Sequence, residues 1–432
     1  MRTNLFIANV FDRKRTAQIA DWAAVGVAVS LPWSTSATSI LLVVWLITLL
    51  PTLDITTVRR EVETAAGGFP VLLWLLAALG MWWAVVSWTD RIHGLGGFHR
   101  LLVIPLLLAQ FRRSKHGAWV LFGFLASAVV LLLVCWTLVL ARIETWPSHF
   151  HQYGVLVRDS IGQSSIFLVC AIGLMWPVCD ALRERNWQRA LWPAGLAILF
   201  LAYLVFVVTS RAAIAVAPVL LVLLGWRRFG RKGVMIACIT VPVLATALWA
   251  TSPNLRKFFL MSVQQTRAYS ANAADNSIGE HIEFLRKSLR FVREAPLIGH
   301  GTGSIADLFR HSAIEQTGAA GVATVNPHSQ IFGVAIQLGL AGAAVLLAMW
   351  IAHYFLFRTA GWIAWVGTVV VVENAVSSIV HSHLFDFMHG WLYVFGVGVV
   401  GGMVLRQSPQ RQPGLQHPQP YIAPHVGGTA SP

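Results

Sequence analysis

Apolar runs of about 20 residues recur from one end of the chain to the other, and lipid is the solvent such runs require. Runs at 19–33, 37–53, 68–88, 100–111, 117–141, 162–182, 188–208, 211–226, 232–251, 327–357, 360–380 and 388–405 predict about twelve membrane helices. The fourth run, Leu101 to Phe111, is short for a span and predicts one that is tilted, broken or partly re-entrant. The division that follows is a cytoplasmic N-terminus (1–18), nine spans (19–251), a long polar loop (252–326), three further spans (327–405) and a cytoplasmic tail (406–432) rich in Pro, Gln and Gly.

One interval breaks the rhythm. Thr251 to His328 is far longer than a turn between two spans, and loops of that length are commonly functional. Within it, HIEFLRKSLRFVR places Ile282, Leu285, Leu289 and Val292 on one helical stripe and Arg286, Arg290 and Arg293 on another. The expected fold is therefore all-α and polytopic, with a helical loop between the ninth and tenth spans.

Composition agrees: 56% of the 432 residues are hydrophobic and 12% are charged, about half the charged share of a soluble domain. The net charge of +14 does not indicate nucleic-acid binding, because Arg13-Lys14-Arg15, Arg59-Arg60, Arg112-Arg113-Lys115, Arg183-Arg185-Arg189, Arg227-Arg228-Arg231-Lys232, Arg358 and Arg406-Arg411 alternate with the spans as the positive-inside rule requires. With both termini cytoplasmic, the long loop faces outward, together with loops at 89–99, 143–161 and 381–387. Cys135, Cys170, Cys179 and Cys238 lack metal-ligand spacing and read as small core residues. There is no internal repeat of the kind many transporters carry.

Candidate chemistry concentrates on the outer side. Arg211 stands between two apolar runs with small neighbours and no nearby acid, a setting for an anion such as phosphate. Arg267, Arg286 and Arg290 lie where the positive-inside rule gives no reason for basic residues, although Glu280, Glu283 and Glu294 offer ordinary ion-pair partners. Gly299-His300-Gly301-Thr302-Gly303-Ser304 reads as a glycine-rich turn into a helix capped by Ser304 or a neighbour, fit either for cradling phosphate or for a tight turn. Asn326-Pro327 places His328 at the start of the next span, where a neutral imidazole could act as a general base. The segment His381-Ser382-His383-Leu384-Phe385-Asp386-Phe387-Met388-His389 matches no standard zinc spacing, so no metal is expected there. Asp386 is read instead as an orienting partner for a basic residue. Glu373, inside an apolar run, is a rare intramembrane carboxylate that could mark an ion pathway.

The Ser210-Arg211 pair, EHIEFLRKSLRFVREAPLIGHGTGS and NPHSQIFGVAIQLGLAG, in that order, resemble the O-antigen ligase family across about 205–395. That resemblance implies a GT-C-like membrane glycosyltransferase in the bacterial inner membrane with its active site on the periplasmic face. Its donor would be undecaprenyl-pyrophosphate-linked O-antigen and its acceptor lipid A-core oligosaccharide, with no cofactor or metal. Carried over by motif, His328 would be catalytic, and Arg211 and Arg286, with Arg267 and Arg290, would hold the donor pyrophosphate. His281, His300 and Asp386 would support them. Many members have arginine where His281 stands and asparagine where Ser329 stands, which leaves the second anion contact open among Arg267, His281 and Arg286. An O-antigen polymerase using the same donor is the nearest rival; a transporter of lipid-linked sugar is the rival outside enzymes.

Overall fold

The computed structural model describes residues 13–142, 155–156, 160–208, 210–267 and 277–407. The tail from 408, most of the 143–161 loop and residues 268–276 of the long loop lie outside the described residues. The described residues form helices and no strand. In chain order these are α1 (Arg13–Ser30), α2 (Thr35–Leu49), α3 (Ile55–Val62), α4 (Ala65–Gly80), α5 (Trp88–His99), α6 (Val103–Arg113), α7 (Gly117–Leu140), α8 (Ser160–Arg183), α9 (Trp187–Phe206), α10 (Arg211–Thr251), α11 (Pro253–Arg267), α12 (Ser277–Glu294), α13 (Ile305–Ala313), α14 (Gln330–Leu356), α15 (Trp362–Ser377) and α16 (Phe387–Gln407).

Among the described residues, eight helices are long and apolar enough to cross a membrane, and a ninth if the pair α3 and α4, bent by 89°, is one span. α15 is apolar but shorter. Exposed Leu, Ile, Val, Phe and Trp side chains cover much of the outside, as lipid-facing helices require, while a continuous core of Trp45, Phe111, Phe167, Trp365 and Tyr393 fills the inside. Cys135 and Cys170 are in that core; Cys179 is half-buried and Cys238 is exposed, so the expectation of four core thiols holds for two.

Glycine decides two breaks. Gly230 (φ 59°) lies inside α10, and Gly225 and Gly233 pack backbone to backbone, so α10 is a hairpin of two arms. A straight helix of that length would run about 60 Å, twice a bilayer's hydrocarbon core. Gly339 (φ 65°) likewise divides α14. The expected single span over 327–357 is thus two pieces: Gln330–Leu338 packs among the outer loops, and the remaining arm runs antiparallel to α4, with His353 Nε2 2.8 Å from the Ala66 carbonyl.

The short fourth run also has a structural explanation. α5 and α6 are joined through a 3₁₀ turn at Arg100–Leu102 into one apolar stretch, Trp88–Arg113. Residues 89–99, expected as a loop, belong to its N-terminal half; Asp90, Arg91, His93 and His99 hid the helix from a hydropathy reading.

Basic residues gather at one end of the helices. Arg13 pairs with Asp54 at 2.7 Å, Arg113 donates to the Thr52 carbonyl, Arg406 to that of Ser114, and Arg228 pairs with Asp180. Glu61, fully buried there, is held by Arg112 at 3.0 Å and Arg60 at 2.9 Å. A buried carboxylate of this kind is tolerated because it is paired. The histidine-bearing loops lie at the opposite end.

Candidate active site

The chain before α14 is a locked turn. Thr324 Oγ1 accepts from Asn326 N–H and donates to the Asn326 carbonyl, and Asn326 Oδ1 accepts from His328 N–H at 2.9 Å. His328 has φ 54°. The other described non-glycine residues with positive φ, Arg142, Arg185 and Glu315, each follow a helix C-terminus, where a left-handed residue ends the helix. His328 precedes a helix, so no capping duty explains its strain, and strain of this kind collects at functional sites.

Two residues later the turn is fastened to the α15–α16 connection. Gln330 N–H meets the carbonyls of Ser378 and His381, and its Oε1 accepts from Leu384 N–H at 2.9 Å. These bonds bring three histidines together. His281, on α12, meets His328 edge-on at 4.6 Å between ring centroids, and His381 is 6.3 Å from His328. Phe284, one turn along α12 from His281, stacks on the His328 imidazole at 5.6 Å, with 10° between the planes. Burial lowers the His328 pKa below the ordinary histidine value, while the negative charges of Asp386 and Glu280 partly oppose that. The imidazole is therefore neutral at physiological pH and can accept a proton.

Asp386 sits behind this group. Its carboxylate is 43% exposed, 3.6 Å from His383 Nδ1 and 3.9 Å from His389 Nδ1. The Arg100 guanidinium donates to the carbonyls of Asp386 and Phe385, which holds the turn. The main chain that carries Asp386 is thus held by an arginine at the α5–α6 junction. Arg100 was not apparent in the sequence because it falls at a helix break just before an apolar run.

The long loop divides its residues between two faces of α12. Phe284, Lys287, Ser288 and Phe291 are buried and Leu285 and Leu289 are exposed, which shifts the inward stripe from the expected one. Phe284 and Phe291 pack with Ile305, Phe309 and Ile336. Arg286 (paired with Glu283 at 3.1 Å) and Arg290 (with Glu294 at 3.5 Å) line a recess of about 160 Å³ with Lys287, Ser312 and Gln316. That recess does not include His328. Lys287 donates to the Ala320 carbonyl, and burial lowers its pKa. Arg267 is exposed at the C-terminus of α11. The Arg211 backbone begins α10, behind the Ser210 cap; its side chain lies outside the described residues.

The glycine-rich loop is a fastener and not a phosphate cradle. His300 and Gly301 N–H donate to the carbonyls of Ile336 and Gln337, Thr302 N–H to that of Gly80, and Gly303 N–H to Gln337 Oε1. Thr302 Oγ1 reaches the Ala77 carbonyl at 2.6 Å. At Gly301 (φ 90°) a Cβ would strike Ala84, so the close approach to the end of α4 needs glycine. Ser304 occupies the cap position of α13, but its hydroxyl donates to Gly301 O. His300 Nε2 lies 2.9 Å from the Phe291 carbonyl, bracing this loop against α12 at a distance from the histidine cluster.

No curated protein matches the chain. Residues 196–347 match the family described as O-antigen ligase, a stretch that includes Arg211, Arg267, His281, Arg286, Arg290, His300 and His328 and stops short of Asp386. Over residues 196–347, this all-helical chain, with several helices able to cross a membrane, is similar to the O-antigen ligase family.

Proposed function

We propose that the protein is an inverting glycosyltransferase that moves O-antigen glycan from undecaprenyl pyrophosphate to lipid A-core, at the periplasmic face of the bacterial inner membrane, in lipopolysaccharide biosynthesis. The observation that carries this reading is His328: a strained, half-buried, neutral imidazole at the outer end of the membrane helices, inside the family-matched region. Its part is to take the proton of the acceptor hydroxyl as that oxygen attacks the anomeric carbon from the face opposite the leaving group. The bond from that carbon to the pyrophosphate oxygen breaks, and the electron pair leaves with the lipid pyrophosphate. Fixed guanidinium groups stabilise the growing charge, so the step needs no metal. We assign Arg211 to that task, with Arg267, Arg286 and Arg290 as the loop cations for the second contact. His281 occupies the α12 position beside His328, Asp386 supports the cluster electrostatically, and His300 braces the loop.

The helix path supports twelve crossings: α1, α2, α4, α5 with α6, α7, α8, α9, the two arms of α10, the second arm of α14, α15 and α16. The paired basic end is then cytoplasmic and the histidine end periplasmic.

Three outcomes follow. Purified full-length protein, given undecaprenyl-pyrophosphate glycan and rough lipopolysaccharide, should yield capped lipopolysaccharide; longer lipid-linked chains formed without lipopolysaccharide would make it a polymerase. In a cysteine-free background, Gln316→Cys should react with an impermeant thiol reagent on intact spheroplasts and Arg231→Cys should not; the reverse labelling would invert the topology. Because the base form of His328 persists below the ordinary imidazole value of about 6.5, the acid limb of kcat/KM should lie below that pH. Phe284→Ala, which opens the ring to water, should move the limb upward while His281, His381, Glu280 and Asp386 remain in place. A limb at or above that value, unmoved in the variant, would remove His328 as the base.

A further inference from the structure

Behind the proposed catalytic histidine is a second cluster with a chemistry of its own. His383, Asp386 and His389 follow one another at intervals of three, a spacing outside the common zinc signatures, yet the connection between α15 and α16 folds so that one ligand atom from each lies within 4.8 Å of the others. Both histidines aim Nδ1 at the same carboxylate oxygen, at 3.6 and 3.9 Å. These separations are too long for hydrogen bonds. They are close to the roughly 3.4 Å between neighbouring donors around a tetrahedral ion with bonds of about 2.0–2.1 Å.

Two independent features point to a ligand there. His383 is fully buried, and neither of its ring nitrogens has a hydrogen-bond partner, a costly arrangement for an imidazole with nothing to bind. His389 is buried too, and its Nε2 lies 3.0 Å from Ser165 Oγ, which in turn hydrogen-bonds the Glu373 carboxyl. With Nε2–H donating to Ser165, Nδ1 carries the lone pair, 3.9 Å from the Asp386 carboxylate, and the His383 ring stacks on the His389 ring at 3.8 Å between centroids. Metal-ligating histidines are oriented in this way, the far nitrogen tied to a second group that fixes the tautomer. Asp386, partly exposed, gives an ion a path from the outer surface. Arg100 holds the Phe385 and Asp386 carbonyls and faces the Trp391 ring, so the turn is fixed before any ion arrives.

We propose that His383, Asp386 and His389 bind one divalent transition-metal ion of the zinc class, completed by water, which pins the periplasmic ends of α15 and α16. Imidazole nitrogens with one carboxylate favour such an ion over calcium or magnesium, which prefer all-oxygen shells. The ion is structural: His328 is not among its ligands, and the site stands whether or not the transfer reaction is as proposed. It also differs from the metal-free expectation for this segment, because linear spacing does not reveal that the turn at 384–387 brings both rings to one side.

The test uses full-length protein purified in detergent through a tag without histidine. Metal analysis after incubation with zinc and removal of the excess should give near-stoichiometric zinc, and cobalt in its place should show the visible absorption of a tetrahedral site. His383→Ala and Asp386→Asn should lose both signals, and Ser165→Ala should weaken zinc binding roughly 10–100-fold, while His328→Ala retains full binding. Asp386→Asn, a nearly isosteric change at a partly exposed position, keeps the test valid if His383→Ala fails to fold. Folded wild-type protein that retains no zinc and gives no cobalt spectrum would overturn the site, as would Asp386→Asn binding as tightly as wild type. Loss of zinc in His328→Ala as well would move the ion to the catalytic cluster. Glycan transfer, measured separately, decides only the reaction.

Discussion

The site depends on one side chain that takes no part in its chemistry. Gln330 is fully buried at the start of α14, and its main-chain N–H and side-chain Oε1 join that helix to the 378–384 segment. Without those bonds the turn carrying His328 and the turn carrying His381, His383 and Asp386 would be separate loops some fifty residues apart in sequence. With them, the two outer connections of the last three helices form one surface, onto which α12 presents His281 and Phe284. Buried polar groups contribute most when they are hydrogen-bonded to specific partners, because no alternative packing satisfies them equally well.

The glycine-rich loop completes the same frame from the other side. Its backbone lies against the end of α4 and against α14 at Gly339, where both chains bend. α12 is therefore braced along its length: by Phe291 and His300 at one end and by His328 on Phe284 at the other. The lipid-linked donor proposed above needs an open surface at the membrane boundary, and a rigid frame of loops would supply fixed groups there without enclosing them. Fixed groups are what transition-state stabilisation requires, since they need no reorganisation as charge develops.

Much of this was legible in the sequence because lipid imposes a strong pattern. The apolar runs, the one-sided basic clusters and the long polar interval identify a multi-pass protein and direct attention to His328. Hydropathy failed where a helix carries polar residues, as in the N-terminal half of Trp88–Arg113, and where glycine bends a helix without leaving a polar gap, as at Gly339. The site was legible by residue type but not by facing. HIEFLRKSLRFVR shows that α12 is amphipathic, yet its stripe of leucines is exposed and the phenylalanines are buried, so Arg286 and Arg290 face a separate recess and His281 and Phe284 are the α12 residues that meet His328. Arg100 and the convergence of His383, Asp386 and His389 depend on contacts between distant segments, which no local pattern records.

The central claim is a division of labour: His328 acts on the acceptor hydroxyl and the arginines act on the donor pyrophosphate. Donor affinity measured beside turnover tests it most directly. His328→Ala should bind undecaprenyl-pyrophosphate glycan nearly as wild type does while losing roughly 10²–10⁴ in rate. Arg211→Ala should weaken donor binding by about 1.5–3 kcal/mol, the worth of a hydrogen bond to a charged group, and Arg211→Lys should rescue it poorly. Loss of donor binding in His328→Ala with normal binding in Arg211→Ala would contradict the account and place the histidine in the donor site.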